Sequence, residues 1–171
     1  MNEDSLICSE CGQTVNKSKI CIIDEKAVCF TCIYGDSTPF VIYPIGNVRT
    51  KLGSRETSHL PGDPKGISCI DLFPSQKRFL YKLEEETSLL IVYYLHKVKS
   101  VITTFNRRLD GKRVGVFASR TPNRLSKIAV QDVRLVKIEG NKLYVDGLDA
   151  MDESPVLDIK LGLGRRRISG R

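Results

Sequence analysis

Four cysteines near the start of the chain have the types and spacing for soft-metal chemistry. Cys8 and Cys11 bracket two residues, Cys29 and Cys32 bracket two more, and seventeen residues separate the pairs. Two thiolates at this spacing can point into one turn, and two such turns complete a tetrahedron around zinc. A segment this short cannot bury enough apolar surface to fold unaided. A Zn2+ ion held by Cys8, Cys11, Cys29 and Cys32 would therefore supply most of its stability. The alternatives are two disulfides or four unligated thiols, and a cytoplasmic address disfavours the disulfides. Cys21 in KICIID and Cys69 in GISCIDLF read as small buried apolar groups rather than ligands.

Further along, three polar features stand at the ends of apolar runs. Arg120 follows GVFAS, His96-Lys97 closes SLLIVYYLH, and Asp152-Glu153-Ser154-Pro155 makes a turn before PVLDIK. A guanidinium fork can grip a carboxylate, but a surface Arg at a strand end is the plain alternative. Asp and Ser are also ordinary turn residues, and a lone His at a strand end is often a satisfied structural group. Asp149 and Asp158 read as structural or substrate-side.

The elements that must carry these groups are mostly strands. The pattern predicts strands in FVIYPIGNVRT (40–50), ISCIDLF (67–73), SLLIVYYLH (88–96), RVGVFAS (113–119), KIAVQDVRLVKI (127–138) and PVLDIK (155–160). Gly140-Asn141 turns the chain into KLYVDGL as a hairpin. SQKRFLYKLEEE, with Phe79, Leu80 and Leu83 on one side, predicts a short helix. Residues 51–66 read as a long functional loop and 97–111 as a basic loop. The fold class is therefore mainly β with one or two short helices. It lacks the strand–helix alternation and Gly-rich turn of a doubly wound nucleotide fold. The chain divides into three parts: 1–36 as a four-cysteine ribbon, 40–160 as the main domain, and 161–171 as a basic, disordered tail.

Net charge is +7 over 171 residues, unevenly distributed. Residues 1–38 hold three lysines against six acids, whereas the tail carries Lys160, Arg165, Arg166, Arg167 and Arg171 with no acid. A basic body suits a polyanion, because each neutralised phosphate releases counterions. Arg107, Arg108, Lys112 and Arg113 would suit the phosphates of a nucleic acid, or form a solvated loop. With no Trp and few aromatics, a stacking platform for single strands is not obvious. The acidic ribbon reads as scaffold or protein contact. No apolar run reaches eighteen residues and the N-terminus is polar, so the expectation is no membrane span and a cytoplasmic location.

Five segments, in order, resemble the signature stretches of the TsaA-like (TrmO) family of S-adenosylmethionine-dependent methyltransferases of transfer RNA. They are Pro44–Thr50 (PIGNVRT), Ser54-Arg55-Glu56, His96-Lys97, GVFASRTPNR at 115–124 and GLDAMDESPVLDIK at 147–160. The resemblance implies a small closed β-barrel, an S-adenosylmethionine cofactor, a tRNA substrate and a homodimer. The implied acceptor is the exocyclic nitrogen of threonylcarbamoyladenosine beside the anticodon. Carried over by motif, the cofactor pocket takes His96, Lys97, Arg120, Val130 as an apolar wall, and the turn Asp152, Glu153, Ser154 and Pro155. His59, Leu60 and Pro61 stand where relatives have a PRQ stretch. Leu125, Ser126, Lys127 and Ala129 replace the Pro, Asn, Pro and Gly of the RPNPIG phrase. These departures leave a non-catalytic cofactor- or RNA-binding module as the alternative to an enzyme.

Overall fold

The computed structural model describes residues 4–50 and 66–162. In chain order the strands are β1 (Ser5–Ile7), β2 (Thr14–Asn16), β3 (Ile20–Ile23) and β4 (Lys26–Cys29), followed by the short helix α1 (Phe30–Tyr34). Then come β5 (Gly46–Arg49), β6 (Ile67–Leu72), β7 (Ser88–Tyr94), β8 (Thr104–Asn106) and β9 (Arg113–Gly115). The last three are β10 (Ile128–Glu139), β11 (Lys142–Asp146) and β12 (Pro155–Leu161). Two compact units result: Met1–Val41 with Lys97–Lys127, and Ile42–His96 with Ile128–Arg171.

The second unit is a closed six-stranded barrel in the order β10-β11-β6-β5-β12-β7. Its strands alternate, as a sheet with one buried face must. In β7, Leu89, Ile91 and Tyr93 turn inward, and Ile70 and Leu72 do so from β6. With Val48, Val133, Leu143, Val145 and Val156 they form the core. Closure depends on the length of β10. Ile128–Arg134 pairs with β7, and Arg134–Glu139 pairs with β11 across a register shift between Leu135 and Lys137. A bulge of this kind bends one strand enough to serve two neighbours.

The first unit consists of small hairpins. β1 pairs with β2, β3 with β4, and β8 with β9, all antiparallel. Its apolar core is slight: Cys8, Val28 and Cys29, with Val15, Ile20, Ile23 and Ile33 packed around them. Residues 97–127 join this unit through the β3–β4 turn. Val101 makes a parallel bridge to Ile23, donating its N–H to Ile22 O at 3.2 Å and accepting that of Asp24 at 3.0 Å. The Asp24 carboxylate then accepts the Thr103 N–H at 3.0 Å and the Thr103 hydroxyl. Those two donors hold the Asp24 carboxyl below the usual carboxylate range. The segment 97–127, which by sequence falls within 40–160, is thus grouped in space with the ribbon.

Several local expectations differ from the structure. FVIYPIGNVRT is a strand only at Gly46–Arg49, and Phe40, Val41 and Tyr43 are exposed. SQKRFLYKLEEE forms two 3-10 turns, Pro74–Phe79 and Leu83–Glu85, instead of a helix. Lys82, with φ of 61°, sits between them in the left-handed region and breaks the run. RVGVFAS leaves the strand after Gly115 for a 3-10 turn at Val116–Ala118. Arg120 therefore stands on an exposed loop, not at the end of a buried strand. The basic loop 97–111 contains β8. Cys21 and Cys69 are half-buried rather than buried. Of the stretch 51–66 expected as a long functional loop, residues 51–65 with His59, Leu60 and Pro61 lie outside the described residues, as does the tail beyond Gly162.

Candidate functional site

The four cysteines come together. All four sulfur atoms lie within 4.8 Å of one another, with Cys8 to Cys32 at 3.8 Å and Cys11 to Cys29 at 3.9 Å. Tight turns place them. Gly12, at φ of 73°, donates its N–H to Cys8 O at 2.9 Å, which folds the first pair into a knuckle. Cys29 ends β4 and Cys32 lies on α1, which gives the second pair its turn. The Cys29 N–H points at Cys8 Sγ at 3.3 Å. The backbone N–H groups of Cys11 and Cys29 lower the Cys8 thiol to about 6, whereas the crowding sulfurs of Cys29 and Cys11 push Cys32 up. Four thiols gathered in this way could hold a metal ion as thiolate ligands.

The second feature is a cavity of about 800 Å³ in the same unit. Its walls are the β8–β9 loop, with Arg107, Arg108 and Leu109, and the motif loop Ala118–Asn123, with Ile102 and Phe105 behind. The wall is rigid because three arginines are used internally. Arg107 holds Asp110 through 3.0 and 2.6 Å bonds and reaches Ala118 O at 3.3 Å. Its guanidinium keeps the Asp110 carboxyl below the usual range. Arg124 donates to the carbonyls of Thr121, Val116 and Ser119, the last at 2.7 Å. Arg113 bonds the Thr104 hydroxyl at 3.1 Å. Arg120 and Arg108, by contrast, line the cavity with no carboxylate partner among the described residues. Such a space suits a ligand with a carboxylate or phosphate at one end and an apolar body.

The third feature is on the barrel. The turn at Met151–Ser154 is stitched to β5 and to Thr50 just beyond its end. Ser154 N–H returns to Met151 O at 3.1 Å, and Glu153, at φ of 66°, donates its N–H to Val48 O at 2.8 Å. Asp152 accepts the Thr50 N–H at 3.0 Å, and Glu153 pairs with Arg49 at 2.9 Å. Both acidic side chains thus have bracing partners. Pro155 opens β12 opposite Asn47. Ser154 is buried, with Oγ 3.4 Å from His96 Nδ1, so the structure brings these two predicted residues together. Val130 is 43% exposed on β10, opposite Val92. Asp149 bonds through its backbone, its carbonyl to the Tyr93 hydroxyl at 2.7 Å and its N–H to Gln131 at 2.9 Å. Burial, with Asp149 nearby, raises the Tyr93 phenol to about 12. Asp158 pairs with Lys160 at 2.7 Å. His96, Val130 and Asp152–Pro155 belong to the barrel unit, and Lys97 and Arg120 to the other.

Sequence reasoning missed Asp24 and Thr103, whose pairing is read only from the fold. It also missed Ile102, Phe105 and Leu109 as cavity wall, since a hairpin of three-residue strands leaves little periodicity.

Residues 54–161 match the model of the tRNA-methyltransferase O N-terminal domain. The four-cysteine segment lies outside that span. The probable S-adenosyl-L-methionine-binding protein VirR of Rhizobium radiobacter is 32% identical over 127 residues, covering 74% of this chain and 71% of that one. The mouse tRNA (adenine(37)-N6)-methyltransferase is 34% identical over 93 residues, covering 53% of this chain but 22% of its own length. Among solved structures, TrmO from Pseudomonas aeruginosa superposes with a TM-score of 0.58 at 25% identity, covering 78% of this chain and 62% of that one. The matched span is well over half the chain, and the barrel underneath it is closed: this protein belongs to the TrmO N-terminal domain family.

Proposed function

We propose that the protein is an S-adenosylmethionine-dependent tRNA methyltransferase that acts on the exocyclic nitrogen of threonylcarbamoyladenosine beside the anticodon. The observation that carries this reading is the family match over 54–161 together with Arg120, which lies in that span and lines a cavity without a partner acid among the described residues. The names of the relatives support it, one binding the methyl donor and one acting on tRNA adenine 37.

The residues fit the donor. When bound, S-adenosylmethionine supplies a methyl group already activated on a sulfonium, so the protein needs little acid–base machinery. Its work is to orient and to exclude water. Arg120 would hold the carboxylate as a fork, and Ile102, Phe105, Leu109 and Pro122 would pack against the adenine ring. Within the barrel unit taken by itself, the turn Asp152–Pro155 and Val130 are the cofactor contacts that the family resemblance implies, and Ser154 Oγ stands 3.4 Å from the His96 ring. Lys97, His59, Leu60 and Pro61 are assigned to the cofactor by the family resemblance alone. The homodimer and the cytoplasmic location belong to the same reading; light scattering tests the first.

The cysteines are assigned to Zn2+. A tetrahedral site with Zn–S bonds of about 2.3 Å has edges near 3.8 Å, and the Cys8–Cys32 and Cys11–Cys29 sulfurs stand 3.8 and 3.9 Å apart.

Calorimetry with S-adenosylmethionine, then methyl incorporation into tRNA with mass spectrometry of the nucleosides, tests the function. Donor binding and a methylated threonylcarbamoyladenosine are expected, and Arg120→Ala should weaken donor binding about tenfold or more. No heat at millimolar donor removes the enzyme reading. Binding without transfer favours the module.

A further inference from the structure

We propose that Lys97–Lys127 is a docking face for a single-stranded RNA loop, with Lys99, Arg108 and Lys112 on its phosphates and Phe117 stacked against a splayed base. The proposal rests on the tRNA reading of the function and names the surface that would receive that substrate.

Charge is the first argument. These thirty-one residues hold nine lysines and arginines against one acid, Asp110, so they alone account for the chain's positive balance. Such a stretch repels itself unless something neutralises it. Only part is neutralised internally: Arg107 by Asp110, with Arg113 and Arg124 bonded to Thr104 and to backbone carbonyls. Lys99, Arg108 and Lys112 are exposed, and no carboxylate pairs with them among the described residues.

Phe117 is the second argument. It is 87% exposed, the most exposed large apolar side chain among the described residues, and Leu109 at the tip of the β8–β9 loop is 86% exposed. Phe117 is not on a slack loop. The buried Val116 anchors its 3-10 turn, and the Val116 carbonyl accepts from Ser119 Oγ at 2.9 Å and from Arg124. The adjoining Ala118 carbonyl accepts from Arg107, which fixes the turn beside the hairpin loop that bears Arg108. An exposed aromatic ring on a turn fixed to the hairpin that bears Arg108 and Lys112 is the arrangement that takes an unstacked base and its flanking phosphates. Composition alone gave no stacking platform; a single well-placed ring supplies one.

A second copy of the chain is a poorer occupant. Two-fold contact through this segment would set one nine-cation stretch against another.

The test is fluorescence anisotropy of the full chain with an anticodon stem-loop oligonucleotide across a salt series, using duplex RNA as the comparison. Wild type should prefer the stem-loop. Lys99→Ala with Lys112→Ala should lower the salt slope by about 1.4, since each single-strand phosphate contact contributes about 0.7. Phe117→Ala should weaken binding about tenfold at unchanged slope, and Phe117→Trp should restore it. Donor affinity by calorimetry should hold in all three variants, which also reports that they fold. Wild-type affinity in the variants overturns this surface and leaves the tRNA reading standing. No binding by wild type to the stem-loop or to whole tRNA removes both. Dissociation of a dimer by Phe117→Ala with RNA affinity intact makes Phe117 a subunit contact and overturns the proposal.

Discussion

Ser68 turns inward from β6 beside Ile70 and Leu72, fully buried, and its hydroxyl has no hydrogen-bond partner among the described residues. An unpaired buried hydroxyl costs about 1–3 kcal/mol, whereas an apolar group of similar size does not. Ser68→Ala should therefore raise stability by about 1 kcal/mol and the Tm by a few degrees. A lower Tm in a thermal scan would mean that the hydroxyl is satisfied by bound water. At the same scale, one motif residue proves to be architectural. A Cβ on Gly46 would meet Asp71 O at 2.5 Å and Leu72 Cα at 2.7 Å, so the PIG phrase is needed where β5 crosses close to β6. The sequence located this motif but not its reason, because a close backbone approach leaves no pattern in the chain. Asp152 and Glu153 show the converse. Their motif was legible, but their acids bond Thr50 and Arg49, partners more than a hundred residues away.

Among elements, the slight core of the first unit decides what holds it. The small cluster of Cys8, Val28 and Cys29 with a few half-buried neighbours cannot alone stabilise the six short hairpin strands. The cysteine cluster anchors β4, β4 pairs with β3, and the β3–β4 turn grips Val101 and Thr103 through Asp24. Chelation at neutral pH should therefore speed amide exchange at Val101 and Thr103, while Leu89 and Ile91 in the barrel keep their protection. Undiminished protection at Val101 in the presence of chelator would show that no metal held by the cysteines supports this segment. The barrel strands were legible because alternation over five or more residues is strong, as in β7 and β10. The 3-10 turn after Gly115 was not, since VFAS reads as strand and only the bonds from Ser119 and Arg124 bend it.

For the molecule as a whole, the division into two units follows space rather than sequence, and no linear reading finds it. No helix among the described residues is long and apolar enough to cross a membrane. The point of departure of the basic segment is set by pairing: Tyr94 on β7 stands directly opposite Ile128 on β10. Partners in an antiparallel ladder lie about 5 Å apart, so everything between them leaves and re-enters the barrel through one narrow gate. Replacing residues 97–126 with a two-residue Asn-Gly turn should leave a barrel that unfolds cooperatively and retains its strand signal by circular dichroism, without donor affinity. Loss of cooperative unfolding would mean that the barrel needs the excised chain. An interchangeable cassette is thus written into the topology. A segment of any length whose ends meet at that gate leaves the pairing of Tyr94 with Ile128 geometrically intact, so the inserted chain can vary while the ladder beneath it does not.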